Sequence, residues 1–193
     1  MPRLVWFILL AMPACAAELE LRYSALERIL AEQLFSVDGR HYVRGSQSTR
    51  CQFAFLEAPR IDSERLDKDQ FRLRVKARFS GRSAIDMFGG CVGLGDSFDL
   101  TMTASPFPRN GAIALRDVNV TTAKDSYYIR RVRAALAQSI SKDFKIEVRD
   151  QARKLLEQSG AAYQQDLASF DLGEIRVTPE ALVLVVDFHL VVK

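Results

Sequence analysis

Apolar and polar positions alternate along much of this chain. Leu19, Leu21 and Tyr23 are interleaved with Glu18, Glu20 and Arg22, and Cys51, Phe53 and Phe55 with Gln52 and Ala54. Phe71, Leu73, Val75, Ala77 and Phe79 alternate with Arg72, Arg74, Lys76 and Arg78. Phe98, Leu100, Met102 and Ala104 alternate with Asp99, Thr101 and Thr103. After the turn signal Asn110-Gly111, Ile113, Leu115, Val118 and Val120 read as a strand with an irregularity near Asp117. A period of two predicts antiparallel strands with one buried and one solvated face. Between them, the glycine-rich stretch 88–95 reads as a flexible connection.

Two regions change to a helical period. Ser24-Ala25-Leu26-Glu27 has the form of a capping box, and Leu26, Ile29, Leu30 and Leu34 follow at steps of three and four. A short helix is expected over 25–34, then a turn at Asp38-Gly39 and a short strand over 40–44. From 125 to 158 there is neither Gly nor Pro, and Ile129, Val132, Leu136, Ile140, Phe144, Val148, Ala152 and Leu155 recur at helical steps. One long helix or two consecutive ones follow from this, with Gly160 as the stop. Steps of four drift by about 40° each on a helix of 3.6 residues per turn. The stripe therefore winds around the axis. Either a curved sheet wraps the helix, or the helix bends near 142–146.

Two strands, 170–177 and 182–192, close the chain. In the last, Leu182, Leu184, Val186, Phe188, Leu190 and Val192 make one face, and Val183, Val185 and Val191 leave the other largely apolar. Such a strand needs cover on both sides, or a ligand, partner or membrane on one. No linker or repeat divides the order of helix, strands, long helix and two strands. The expected class is α+β, in one domain over 17–193.

The first residues belong to a different plan. Arg3 precedes an unbroken apolar run from Leu4 to Met12, and Ala14-Cys15-Ala16-Ala17 supplies small residues at cleavage spacing. This is the layout of a secretory signal peptide over 1–16, too short to span a bilayer. Cys15 alternatively closes a weak lipoprotein box, which would anchor the chain through an acylated thiol. Export leaves Cys51 and Cys91, and a pair of cysteines in an exported domain predicts a disulfide. Closing a loop of that length restricts the unfolded chain by roughly 4 kcal/mol in the chain-entropy model. The expected location is the bacterial periplasm.

Composition limits the chemistry. With 48% hydrophobic and 26% charged residues the chain is a folder, and 27 Lys+Arg against 24 Asp+Glu gives too little charge for a nucleic-acid binder. His41 and His189 are the only histidines, and neither sits in a nucleophile–base or metal-ligand pattern. No catalytic residue, metal site or cofactor is expected. The glycines at 89, 90, 93 and 95 lack the spacing and the following Lys of a phosphate loop. Arg72, Arg74, Lys76 and Arg78 form a row of cations on one strand face. It would serve an anionic lipid headgroup or acidic partner, unless carboxylates on neighbouring strands answer it.

A signal peptide, a short helix around Tyr23–Leu34, alternating strands from Cys51 to Val120, a helix through Leu136 and Leu155, and an apolar closing hairpin from Ile175 to Val192 resemble the tubular lipid-binding (TULIP) superfamily. The likeness is to its small single-domain bacterial envelope members, and it lies in layout, since that superfamily has no short signature. It implies a strongly curved antiparallel sheet wrapped around one long helix in the C-terminal half, with an apolar cavity between them. The expected function is an exported, non-enzymatic protein that holds a lipid or other hydrophobic small molecule. Its walls would be Leu136, Ile140, Phe144, Leu184, Val186 and Phe188. The alternative is an envelope interaction or scaffold protein with a filled core, bound to an anionic membrane surface or an envelope protein.

Overall fold

A computed structural model describes residues 17–158 and 165–192. The leader expected at 1–16, Cys15 with it, and the stop at Gly160 lie outside the described residues. Strand β1 (Ala17–Arg22) leads into helix α1 (Tyr23–Gln33). A meander of five strands follows: β2 (Arg40–Arg44), β3 (Gln52–Asp67), β4 (Gln70–Met87), β5 (Gly90–Arg109) and β6 (Ala112–Thr121). Helix α2 (Tyr127–Asp143), strand β7 (Lys145–Glu147) and helix α3 (Val148–Gln158) precede the closing pair β8 (Gln165–Val177) and β9 (Ala181–Val192). Strands β2 to β7 form a six-stranded antiparallel sheet in sequence order. A second sheet has the order β1-β9-β8.

The molecule is mostly β, with 62% strand and 21% helix, and its six-stranded sheet curls beside three short helices. This corrects the expected α+β architecture of a sheet wrapped around one long helix. The reason lies in 144–148, where Phe144, Ile146 and Val148 satisfy a period of two as well as a helical step. At Phe144 the backbone leaves the helical region (φ −69°, ψ 123°). Lys145, Ile146 and Glu147 then pair with Ala114, Ile113 and Ala112 at the edge of β6, and Ile146 becomes fully buried. Pairing satisfies an exposed row of backbone groups on that edge, which a continuous helix would leave open.

The other differences are local. Beyond 56 the pattern of β3 is hidden by a bulge: Ala58 has φ 52°, and the register with β4 shifts between Glu57 and Arg60. A second bulge falls where the irregularity was expected, with Asp117 at φ 54°. Bulges increase local twist and help curl a long sheet. The stretch 88–95 is no flexible connection. Only Phe88 and Gly89, both at positive φ, form the turn, and β5 pairs with β4 from Gly90 onward. Gly93 permits this, because a Cβ there would lie 2.5 Å from the Cα of Ala84. The capping box is also absent. The helix is capped at Arg22 without a side-chain bond, and Glu27 instead accepts a hydrogen bond from the Ile61 backbone N–H at 2.8 Å.

One apolar core joins the two sheets. Leu26 and Leu30 of α1, Leu73 and Phe79 of β4, Leu136 of α2 and Leu184 of β9 all belong to it. Strand β9 is central in its sheet, and Leu182, Leu184 and Val186 are buried. Its other face is half-covered by neighbours. Arg176, opposite Val183, forms ion pairs with Glu18 and Glu174, which lie on either side of Val185. The arginine stem can cover valine surface while its head stays wet.

Candidate functional site: an apolar groove along helix α2

Strand β4 carries one continuous face of odd-numbered residues. It runs through Leu73, Val75, Ala77 and Phe79 to Gly81 and Ser83, with no register shift against β5. Facing residues on paired strands share a face, so Met102 and Ala104 of β5 lie beside Val75 and Leu73. Helix α2 lies over this concave face at its edge, packed on β6. Its start is fixed by Ser126, whose Oγ accepts from the Ile129 N–H at 3.2 Å, and it buries Ile129, Leu136 and Ile140.

Two spaces lie between helix and sheet. The inner one has a volume of about 60 Å³. Leu30 and Leu34 of α1, Leu73 and Met102 of the sheet, and Ile140 and Phe144 of α2 line it, and its polar atoms come from His41, Ser139 and Asp143. His41 is fixed there by donating from Nδ1 to the Leu34 carbonyl at 3.1 Å. The outer space is an open groove of about 310 Å³, walled by Val43, Ala54, Phe79, Tyr128, Val132 and Leu136. Ser139 lines both spaces, so they lie against the same turn of α2. Burial pushes the Tyr128 hydroxyl above its ordinary pKa, with Asp96 adding to the shift. At neutral pH that phenol is a neutral donor at the groove wall.

Of the six expected wall residues, the fold brings three together. Leu136 lines the groove, and Ile140 and Phe144 line the inner cavity. Leu184 and Val186 are packed into the core of the three-stranded sheet, and Phe188 is 43% exposed. None of those three lines either space. The walls contributed by Leu30, Leu34, Val132 and the odd face of β4 had not been expected. Their signal was present in the alternation and the helical spacing, but neither pattern says which faces oppose one another.

The cations of β4 point the other way. Arg72, Arg74, Lys76 and Arg78 occupy the reverse face of the strand, away from the groove. Asp62 of β3 accepts from Arg74 Nε at 2.6 Å and Nη2 at 3.0 Å, and from Lys76 Nζ at 3.4 Å. Hydrogen bonding to Arg74, chiefly, holds the Asp62 carboxyl below the usual carboxylate range. Arg78 donates to the Ser97 hydroxyl and lies 3.9 Å from Asp99. The row is largely answered by its neighbours, except that the buried Nε of Arg72 has no partner among the described residues.

Cys51 and Cys91 form a disulfide with Cα atoms 5.3 Å apart. Such a bond belongs to an oxidising, exported setting. Among the described residues no helix is long and apolar enough to cross a membrane, and no group of three His, Cys, Asp or Glu side chains is placed to hold a metal ion. No family model, curated protein or solved structure matches the chain.

Proposed function

We propose that the protein is an exported envelope protein of the bacterial periplasm that binds the apolar part of a lipid or similar molecule along α2. The observation that carries this is a pair of neighbouring, mostly apolar spaces beside α2, an open groove of about 310 Å³ and an inner cavity of about 60 Å³. The groove reaches the lower end of the range usual for small-molecule sites, about 300–1,000 Å³, and like them it is mostly apolar with a few polar groups. Binding would be driven by burial, at about 25 cal/mol for each Å² of apolar surface removed from water. The inner cavity takes only the end of such a group unless α2 shifts.

The direct experiment is lipid extraction and native mass spectrometry of the purified protein, followed by titration of delipidated protein with a fluorescent fatty acid. Val132→Glu, which puts a carboxylate in the groove, is expected to weaken binding by at least about tenfold, the effect of 1.4 kcal/mol. Delipidated protein that binds neither fatty acid nor phospholipid would sink the reading. The small inner cavity favours a second one, a non-catalytic scaffold with a filled core. Under that reading the groove stays empty and crosslinking in the envelope retains a protein partner.

A further inference from the structure

The odd face of β4 does not end at the groove. Beyond Ser83 it continues through Ile85 and Met87, opposite Val92 and Gly90 of β5, with Leu94 opposite Ser83. At this end nothing among the described residues covers it. Ile85 is 60% exposed, Val92 59% and Leu94 70%, Met87 is exposed, and Phe88 at the turn is fully so. Five large apolar side chains are thus exposed together at one hairpin end, whereas soluble surfaces normally scatter such residues singly. The reverse side is rigid. Cys91 is tied to Cys51, and the Ala84 N–H donates to the Cys51 carbonyl at 2.9 Å.

Charge surrounds this end. Arg50 adjoins the disulfide, and Cys91 of that disulfide lies three residues along the chain from Phe88. Arg82 lies further back, opposite Gly95 of the hairpin, and Arg44 donates to Gln52 beside the disulfide. None of the three has a carboxylate within 4 Å among the described residues. Asp86 on the reverse side is the acidic group at the end itself, while Asp96 is paired with Lys124 at 2.9 Å. The collar is therefore net positive.

We propose that the β4–β5 hairpin end docks on an anionic lipid surface. Phe88, Met87, Ile85, Val92 and Leu94 would enter the interface, and Arg50, with Arg82 and Arg44 behind it, would meet the headgroups. An apolar hairpin tip with Phe88 at its turn and cations, unpaired among the described residues, behind it matches the layering of a bilayer, apolar inside and anionic at headgroup depth. Arg44 and Arg82 also line the groove, but Arg50 and the five apolar residues do not, so the apolar contact stands whether or not the groove holds a ligand.

The test is co-sedimentation of the full, disulfide-bonded chain with vesicles of phosphatidylcholine, with and without phosphatidylglycerol. Any contribution from residues 1–16 is common to all variants. Met87→Ser/Phe88→Ser/Leu94→Ser is expected to lower affinity for the anionic vesicles at least about tenfold. Arg50→Gln/Arg82→Gln is expected to lose several-fold of the preference for anionic over neutral vesicles, and salt is expected to weaken binding by the wild type. Phe88→Trp supplies a readout that does not depend on the triple variant folding. Emission above the wild-type background is expected to shift to the blue and to be quenched by brominated lipid. Equal vesicle binding by wild type and triple variant, or an indole at 88 that stays in water, would overturn the proposal. So would a wild type that ignores vesicles but self-associates, with the triple variant monomeric, since the patch would then belong to a second copy.

Discussion

One face of strand β4 meets two fates. From Leu73 to Phe79 its side chains are buried in the core, with Phe79 only 2% exposed. From Ile85 to Met87 the same face, in the same unbroken register, lies open to water. Large apolar residues occupy the odd positions at both ends of the strand, with Gly81 and Ser83 between them. What differs is the cover: α2 lines the groove as far as Gly81 and Ser83, and nothing described lies over the end beyond. A period of two reports that a face is apolar, and cover has to come from another part of the chain or from outside it.

The sharpest way to test that contrast is Phe79→Ala. Phe79 packs against Phe98 with ring centroids 5.0 Å apart. Its removal is expected to cost about 3–5 kcal/mol, read as a lower midpoint in denaturant with an unchanged slope. A loss below about 1 kcal/mol would mean that the groove beside Phe79 collapses to fill the space, and the two halves of the face would differ less than their exposure implies. The next effect belongs to the exposed half. Cys51→Ala/Cys91→Ala opens a tie across 40 residues, at an expected cost of about 2–4 kcal/mol. Hydrogen exchange in this variant is expected to rise at 84–94 before it rises at 73–79. Equal exchange in both segments would show that the disulfide does not hold the hairpin end.

The legible and illegible parts of this fold divide along the same line. Strands β4, β5 and β6, the turn at Asp38-Gly39 and the disulfide followed from spacing, because each is written in neighbouring residues or in the cysteine count. Ile146 did not follow. Its spacing fits a helix and a strand equally, and the deciding factor is the open edge of β6, more than 30 residues away. Ser24 and Glu27 formed a plausible cap until Ile61, from another strand, supplied a better partner for the carboxylate. The candidate site was half-legible for the same reason. Leu136, Ile140 and Phe144 share a helix and so share a wall, while Leu184 and Val186 were assigned to it from a distant strand by polarity alone. The apolar end at 85–94 was hidden by its glycines, which read as a loop.

The reverse face of β4 supplies a smaller effect with a distinct pH signature. Asp62→Asn removes the carboxylate that Arg74 and Lys76 share, on a side chain 41% exposed. The expected loss is below about 1 kcal/mol at neutral pH, as for other exposed pairs. Arg74 chiefly depresses the Asp62 pKa. Its contribution is therefore fully present above the ordinary carboxylate value of about 4 and fades as the pH falls through the lower folded value. Wild type and variant are expected to differ at pH 7 and to converge in strong acid. A gap that widened on acidification would give the pair the opposite sign.

The smallest effect completes the contrast on the odd face. Ile85→Ser replaces a large apolar side chain, as Phe79→Ala does, but at a position already 60% exposed. The expected change in stability is within about 0.5 kcal/mol, because little apolar surface is withdrawn from water there on folding. The measurement belongs at several protein concentrations. A cost of 2 kcal/mol or more, on the order of a core truncation, that grew with concentration would mean that a second copy covers the face, and the two halves of β4 would then share one fate. A null effect in solution, joined to weakened binding at an anionic vesicle, would separate the two halves by function: one is apolar for the fold, the other for what the protein meets.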